Sequence, residues 1–272
     1  SANFCRDRLC PLCSWRRSYK IFSQVSKVMD VIENDYEFLF LTLTVPNVPF
    51  DELGSKISEM QTAFKKMMQK NSRVRRSVCG YFKALEVTFN SNHHSKAYKT
   101  FHPHFHIILA VPKDYFVTDK YIDHSEWLSL WRRYMHDDSI TQVDIRKCVD
   151  KHSKECENAE KSLKSAVAEC AKYAVKASSY LIPWSKALTD RVVTEFLGAL
   201  YSVRLVSFGG VFDKVRKQLK LDDSVDGDLV HVDNDKIRGD VALQIYRYSW
   251  SCGAYKLIAV ENKTSPEVDF DE

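Results

Sequence analysis

Two histidines one residue apart are the first side chains in this sequence that could do chemistry. Residues 102–106 read HPHFH. Because residues two apart on a β-strand point to the same face, His104 and His106 can converge on one ion while Phe105 points into the core. The preceding predicted strand carries Glu86, and antiparallel pairing would place its carboxylate beside the imidazoles. Two histidines and one carboxylate suit a divalent metal ion with open coordination positions; the alternative is two partly exposed strand histidines without a ligand.

A second group of reactive side chains falls on one face of a predicted helix over residues 157–180. At about 100° per residue, Glu169, Tyr173, Lys176 and Tyr180 lie together, opposite the apolar stripe. The i, i+4 spacing puts the Glu169 carboxylate beside the Tyr173 phenol, and Lys176 adds a cation one turn further on. A free phenol has a pKa near about 10, so a tyrosine nucleophile would need help from Lys176 or from a metal-bound electrophile. A solvated face with an incidental Glu/Lys pair is the alternative.

Three cysteines stand close together near the start of the chain. Cys5, Cys10 and Cys13 are spaced Cys-x4-Cys-x2-Cys, and the Cys-x2-Cys half is typical of zinc sites. Three thiolates are one short of a closed tetrahedral site, so the fourth ligand would come from upstream or from a distant Cys or His. Since the sequence starts at Ser1 instead of Met, we expect native residues upstream. The alternative to structural zinc is a set of reduced, unliganded thiols.

Clusters of basic residues are candidates for phosphate contacts with DNA. For any single one of them, a solvated surface is the default interpretation. The candidates are Arg16, Arg17, Arg73, Arg75 and Arg76.

The composition limits the class of protein. The 272 residues include 40 Lys and Arg against 36 Asp and Glu, for a formal net charge of +4. Apolar residues make up 44% and charged residues 28%, which excludes wholesale disorder. No apolar run approaches the about 20 residues that span a bilayer, and no secretory signal opens the chain. We therefore expect a soluble protein of a reducing compartment, without a membrane partner and with its eight cysteines as metal ligands and buried thiols instead of disulfides.

The elements that must position these residues follow a recognisable order. Apolar alternation and helical periodicity predict strands and helices in the order β-α-β-β-α-β, followed by the helix over 157–180. The predicted elements are strand 37–45, helix 51–70 with Asp51 as N-cap, strands 80–90 and 104–111, helix 125–135 and strand 141–148. This order matches ferredoxin-like domains, in which the first and third strands lie at the centre of an antiparallel sheet. We expect an α+β fold.

The domain organisation that we expect has four parts. They are a Cys-rich segment over 1–20, a central domain over 21–185, a C-terminal extension over 186–261 and an acidic tail over 262–272 that is a candidate for disorder. Within the extension, the predicted elements are helix 188–201, a Gly-Gly turn at 209–210, a basic helix 211–219, an acidic loop 222–228 and strands 242–250 and 254–260.

Several motifs spread over almost the whole chain resemble those of a known family. They are CRDRLCPLCSWRR from Cys5, FLTLTV from Phe40, LEVT from Leu85, HPHFH, Glu169-x3-Tyr173, SFGG from Ser207 and DGDLVH from Asp226. Together they are similar to motifs of the replication initiators (Rep) of small rolling-circle plasmids from Gram-positive bacteria, which belong to the HUH endonuclease superfamily. HPHFH with a downstream Glu-x3-Tyr is the specific combination.

The resemblance assigns roles to the candidate residues. It implies an HUH endonuclease fold in which His104 and His106 bind the metal, Tyr173 is the nucleophile and Glu169 acts in the second step. Glu86 as third ligand depends mainly on the strand geometry. Tyr180 is the rival nucleophile, disfavoured because no carboxylate stands four residues before it.

The resemblance also implies an activity and partners. The activity is a site- and strand-specific DNA endonuclease and strand transferase that uses Mn²⁺ or Mg²⁺ and a covalent tyrosine intermediate. The partners are plasmid origin DNA, as a single strand or hairpin, with a host helicase and DNA polymerase in the bacterial cytoplasm. The resemblance leaves the oligomeric state undecided between a monomer and a homodimer.

Two other functions fit part of the sequence. A two-His-one-carboxylate oxygenase would use the same three ligands, but it leaves Tyr173 unexplained. A non-catalytic, zinc-stabilised DNA-binding module would use the cysteines and the basic clusters alone.

Overall fold

A computed structural model describes residues 5–149, 161–171, 175–176, 179–223, 229, 241–249 and 254–263. The chain divides into two compact units, Ser1–Val232 and Asp233–Glu272. The expected boundaries at residues 20 and 185 both fall inside the first unit. Among the described residues, no helix combines the length and the apolar character needed to cross a bilayer.

The described elements agree closely with most of the predicted ones. The α-helices are α1 (Pro11–Ile32), α2 (Leu53–Lys70), α3 (Ser72–Ser77), α4 (His124–Met135), α5 (Leu163–Cys170), α6 (Lys186–Leu200) and α7 (Val211–Gln218). The strands are β1 (Tyr36–Thr44), β2 (Gly80–Phe89), β3 (Phe101–Pro112), β4 (Val143–Val149), β5 (Lys161–Ser162), β6 (Val206–Gly210), β7 (Val241–Ser249) and β8 (Ala254–Lys263). Residues 224–228 of the predicted acidic loop and 264–272 of the predicted tail lie outside the described residues.

The first unit is built on one sheet with the strand order β5-β4-β1-β3-β2-β6. Its neighbours pair antiparallel, except for the two-residue β5, which runs parallel to β4. The first and third strands, β1 and β3, lie at the centre as the ferredoxin-like order predicted. The α+β fold class is confirmed, and the arrangement is consistent with an HUH endonuclease-like fold. In the second unit, β7 and β8 pair antiparallel.

Helices cover both faces of this sheet. On one face, the Phe105 ring of β3 lies edge-on to Phe64 of α2 and to Trp131 of α4, with centroids 5.9 and 6.4 Å away. On the other face, Phe38 of β1 meets Phe212 of α7 at 6.4 Å. Alternate residues of a strand serve opposite faces, so the neighbours of Phe105 in sequence, His104 and His106, belong to the second face.

Helix α1 was not predicted from the sequence and runs through the expected boundary at residue 20. Its buried face includes apolar residues such as Val25 and Val28, but also Arg17, Lys20 and Gln24. These polar residues interrupt the apolar periodicity by which an amphipathic helix is recognised. They are accommodated because they find partners; the Lys20 ammonium, for example, lies 2.6 Å from a carboxylate oxygen of Asp222.

The predicted helix over 157–180 is wrong in its length. Residues 161–162 pair with β4 as β5, helix α5 ends at Cys170, and Val175 and Lys176 lie in irregular backbone. Tyr180 is not on a polar face, because it is buried and its hydroxyl donates to the carbonyl of Leu9 at 2.6 Å. Contacts made by distant parts of the chain therefore override the helical propensity of this segment. Tyr173 lies outside the described residues.

Two smaller predictions also fail. Asp51 is not an N-cap, because α2 begins at Leu53 and the Asp51 backbone has a left-handed φ of 69°. The predicted Gly-Gly turn is the end of β6, where Gly209 and Gly210 pair with β2. Gly210 has a φ of +58°, and a Cβ there would collide with the carbonyl oxygen of Cys79. This close approach requires glycine.

A lysine is buried in the layer between β2 and α2. The Lys83 ammonium donates to the side chain of Gln61 and lies 4.1 and 4.8 Å from the ring centroids of Phe105 and Phe64. Burial lowers the pKa of Lys83 to about 7. The folded protein therefore carries a charge there at a cost in stability.

We expect Lys83→Met to be more stable than the wild type by about 1–3 kcal/mol at pH 7, because methionine fills the space without a buried charge. The folded pKa lies below the ordinary value of 10.5. Wild-type stability should therefore rise with pH from about 7 to 10, and the variant should lack this rise. Urea unfolding at several pH values measures both effects, with the exposed Lys65→Met as control. Parallel pH curves for wild type and Lys83→Met would contradict the prediction.

Candidate functional site

Strand register brings the predicted metal ligands together. Glu86 of β2 is the direct cross-strand partner of His104 in β3, and His106 follows two residues later on the same face. The Nε2 atoms of His106 and His104 lie 3.0 and 3.4 Å from Oε2 of Glu86. All three side chains are buried, and their ligand atoms lie within 4.8 Å of one another.

The electrostatics of this triad keep the carboxylate ionised. Burial opposes ionisation, but hydrogen bonds from His104, His106 and Lys176 outweigh it and hold the pKa of Glu86 well below its usual range. On the far side of His104, Nδ1 lies 3.2 Å from the carbonyl oxygen of His102. A carbonyl can only accept, so Nδ1 of His104 carries a proton and donates there, and Nε2 is the ring nitrogen that faces Glu86.

Two residues of β1 orient His106, and the sequence analysis did not identify either. The Oγ1 atom of Thr42 lies 3.3 Å from Nδ1 of His106, and the Phe40 ring stacks on the imidazole with centroids 5.5 Å apart. Thr42 is the direct partner of His106 in the β1–β3 register. A hydroxyl within the apolar run of residues 38–43 in the central strand β1 was the signal that could have identified it.

Two of the other predicted site residues also reach the triad. Oε1 of Glu169, at the end of α5, lies 3.9 Å from Nε2 of His106. The Lys176 ammonium lies 2.8 Å from Oε1 of Glu86. The two residues approach from a helix end and from irregular backbone, not from one helix face as predicted. They bracket in sequence the segment that contains Tyr173.

The donor set of the triad fits a divalent metal ion. Two imidazole nitrogens and one ionised carboxylate can occupy one side of an ion and leave other positions open for oxygen ligands. Each histidine is oriented by a hydrogen bond at Nδ1, the nitrogen that faces away from Glu86, as is common for histidines that bind metals. Glu86, His104 and His106 could therefore bind a metal.

The three predicted zinc ligands also lie together. The Sγ atoms of Cys5, Cys10 and Cys13 are within 4.8 Å of one another, and those of Cys5 and Cys13 are 3.5 Å apart.

Two of the arginines predicted to contact DNA make contacts within the protein. Arg17 is buried and donates to the backbone carbonyls of Arg6 and Asp7. Arg73 pairs with Glu126 at 3.0 Å and donates to the carbonyls of Asp119 and Tyr121. These guanidinium groups would have to give up such contacts to bind a phosphate, and DNA contacts by Arg17 and Arg73 stay predictions.

The remaining predicted DNA-binding arginines lie nearer the surface. Arg16 donates to the carbonyl of Leu229 at 2.9 Å and lies 5.6 Å from the centroid of the exposed Trp15 ring. Arg75 and Arg76 are exposed on α3, so they stay candidates for phosphate contacts.

Comparisons with known proteins identify the family of the chain. The family model described as replication protein matches residues 1–256. The Protein rep of Bacillus amyloliquefaciens is 38% identical over 244 residues, which are 86% of this chain and 70% of that protein. The Protein rep of Streptococcus pneumoniae serotype 2 is 34% identical over 239 residues, 86% of this chain and 69% of that protein. A Protein rep of Staphylococcus aureus is 40% identical over 191 residues, 69% of this chain and 76% of that protein.

No solved structure is significantly similar to the chain, so the assignment depends on the sequence matches and on the arrangement of the triad. Both agree with the family resemblance inferred from the motifs. The chain therefore belongs to the Rep replication protein family.

Proposed function

We propose that this protein initiates rolling-circle plasmid replication by nicking one strand of the double-stranded origin. The observation that carries the proposal is the buried Glu86–His104–His106 triad, with Glu169 and Lys176 brought up to it from the segment around Tyr173. A structural role for the triad alone would not require a second carboxylate and an ammonium at the same place.

The first step is a transesterification by Tyr173. A divalent ion such as Mn²⁺ or Mg²⁺ held by Glu86, His104 and His106 would supply positive charge beside the scissile phosphate. The Tyr173 oxygen attacks phosphorus in line, the bond from phosphorus to the 3′ oxygen breaks, and the phenol loses a proton while the leaving oxygen gains one. The products are a 5′-phosphotyrosyl link and a 3′-OH primer. Since one phosphodiester is exchanged for another, strand transfer can reverse the step without ATP.

Lys176 supports this attack. Its ammonium reaches Glu86 at 2.8 Å, and it stands three residues after Tyr173 in sequence. A nearby cation favours the ionised form of a phenol. We assign it the role of lowering the pKa of Tyr173.

Glu169 has a role in the second step. It stands four residues before Tyr173, and its carboxylate lies 3.9 Å from Nε2 of His106. At termination it accepts a proton from a water molecule that attacks the phosphate, so the last cleavage ends in hydrolysis without a second covalent adduct.

We expect Glu169→Ala to keep the first nick while hydrolytic termination falls by about 10²–10⁴-fold, the usual contribution of general base catalysis. The two steps are measured separately, as adduct formation on a nick-site oligonucleotide and as release of DNA from the preformed adduct. The exposed Glu33→Ala is the control. An equal loss of both steps in Glu169→Ala would remove its special role.

The substrate is single-stranded DNA exposed in a hairpin at the origin, because a regular duplex does not easily bring its phosphate into a buried metal site. The nicking chemistry belongs to residues 21–185 and origin recognition to the extension over 186–261. The protein would act with a host helicase and a host DNA polymerase, and therefore in the bacterial cytoplasm. Whether it binds the origin as a homodimer can be measured from the stoichiometry of the complex with origin DNA.

The test is to incubate the protein with a labelled origin oligonucleotide and Mn²⁺ and to look for an adduct that resists SDS. We expect the adduct with Mn²⁺ and none with a chelator. Oxygen consumption with Fe(II) and no cleavage would instead indicate the two-His-one-carboxylate oxygenase. DNA binding without metal-dependent nicking would indicate the non-catalytic, zinc-stabilised module.

A further inference from the structure

The three thiols at the start of α1 have the separations of metal ligands. Cys5, Cys10 and Cys13 are free cysteines whose Sγ atoms all lie within 4.8 Å, with 3.5 Å between Cys5 and Cys13. A disulfide needs about 2.05 Å between its sulfurs. Zinc–sulfur bonds of about 2.3 Å place the sulfurs of a tetrahedral site about 3.8 Å apart.

The position of the thiols on α1 favours thiolate ligands. Cys10 stands at the N-cap of α1 and Cys13 lies in the first turn, where the positive end of the helix dipole stabilises negative charge. Burial acts against this at one position and raises the pKa of the Cys13 thiol to about 11, so the geometry of the three sulfurs, and not their titration, carries the argument for a metal. Cys13 is buried and Cys5 is exposed, so an ion held by the three sulfurs would lie at the rim of the core. Three thiols that cannot all pair with one another are better explained by a metal than by a redox-active disulfide.

The backbone of residues 5–10 is folded around this cluster. Arg6 has a left-handed φ of 59°, and the Asp7 carboxylate accepts the amide of Leu9 at 2.7 Å. The buried Arg17 guanidinium donates to the carbonyls of Arg6 and Asp7. The loop is thereby fixed against the helix that supplies Cys10 and Cys13.

We propose that Cys5, Cys10 and Cys13 bind a structural zinc ion, separate from the Glu86–His104–His106 triad and independent of the nicking mechanism. Binding releases the thiol protons and closes residues 5–10 into a rigid loop. The part of the chain that the structure describes adds no fourth His, Cys, Asp or Glu to this cluster. The remaining position belongs to solvent or to a ligand from outside these residues.

This zinc loop supports two other parts of the first unit. Arg8 donates to the carbonyl of Leu200, the last residue of α6, and to the carbonyl of Val203, in the loop before β6. Leu9 accepts the hydroxyl of Tyr180. The ion would therefore stabilise the loop that leads from α6 to β6, and also the position of Tyr180, without itself contacting DNA.

The test measures zinc in the purified protein in a His104→Ala/His106→Ala background, which removes metal bound at the triad. We expect one zinc ion per chain, lost in Cys5→Ser and kept in Cys79→Ser, an exposed cysteine outside the cluster. Cys5 is the variant of choice because it is exposed, so its replacement leaves the core intact. Cobalt substitution should give a thiolate-to-cobalt charge-transfer band that is absent from Cys5→Ser.

A second measurement keeps the proposal open to refutation if a variant folds poorly. Adding a chelator to the wild type should release the zinc and make three thiols newly reactive to a thiol reagent. Absence of zinc in the double-histidine background, or zinc that survives in Cys5→Ser, would overturn the proposal. Neither result bears on whether the protein forms the tyrosine adduct, so the two proposals fail separately.

Discussion

Tyr173→Phe is expected to abolish the covalent protein–DNA adduct and to lower nicking by at least about a thousandfold. The variant keeps the ring and removes only the oxygen that we propose as nucleophile, and loss of a covalent nucleophile typically costs this much or more. Denaturing gels of a labelled nick-site oligonucleotide measure both the adduct and the free cleaved strand. An adduct of undiminished yield would show that another residue attacks.

Tyr180→Phe is the matched control, because the two tyrosines stand only seven residues apart. The Tyr180 hydroxyl is buried and donates to the carbonyl of Leu9 at 2.6 Å. Its removal should leave the adduct unchanged and reduce the free energy of unfolding by about 1–3 kcal/mol, because a buried acceptor loses its partner. Loss of the adduct in Tyr180→Phe alone would exchange the two roles.

His106→Ala is expected to lower Mn²⁺-dependent nicking by at least about a hundredfold. The variant removes one of three metal ligands and leaves the buried Glu86 without its hydrogen bond at 3.0 Å. Changes to metal ligands and their supports commonly cost 10–100-fold or more in affinity or activity. Calorimetric titration with Mn²⁺ and the adduct assay should both show the loss.

Two further variants serve as an intermediate case and as a control for the loss expected in His106→Ala. Thr42→Val removes the hydroxyl beside Nδ1 of His106 and should cost about tenfold in Mn²⁺ affinity. His94→Ala, in the exposed loop between β2 and β3, should leave both metal binding and nicking unchanged. Equal effects of His94→Ala and His106→Ala would contradict a metal centre at the triad.

The triad was predictable because it depends on strand periodicity and strand order. Alternation fixed the faces of Glu86, His104 and His106, and the order β-α-β-β placed their strands side by side. The internal contacts of Arg17 and Arg73 were not predictable in this way. A basic residue looks alike in sequence whether its guanidinium faces solvent or is used by backbone carbonyls on a distant loop.

The helices show the same division between local and distant causes. The apolar stripe of α2 is visible in the sequence. The buried face of α1 contains Arg17, Lys20 and Gln24, so its sequence does not show a continuous apolar stripe. Helix α5 begins only after residues 161–162, which pair with β4, and no local sequence pattern indicates that pairing. The approach of Lys176 to Glu86 likewise depends on the end of that helix.

The contacts of Arg8 and Leu9 limit how far the protein can be truncated at its N-terminal end. A linear map suggests that residues ahead of α1 can be discarded when a minimal nuclease is fused to another protein. Deleting them would strip the Tyr180 hydroxyl of its acceptor and the carbonyls of Leu200 and Val203 of their donor. A truncated nuclease should therefore retain the chain from Cys5 onward. A truncation that starts at Pro11 should unfold at a lower temperature, although it keeps every proposed catalytic and metal-binding residue of the nicking site.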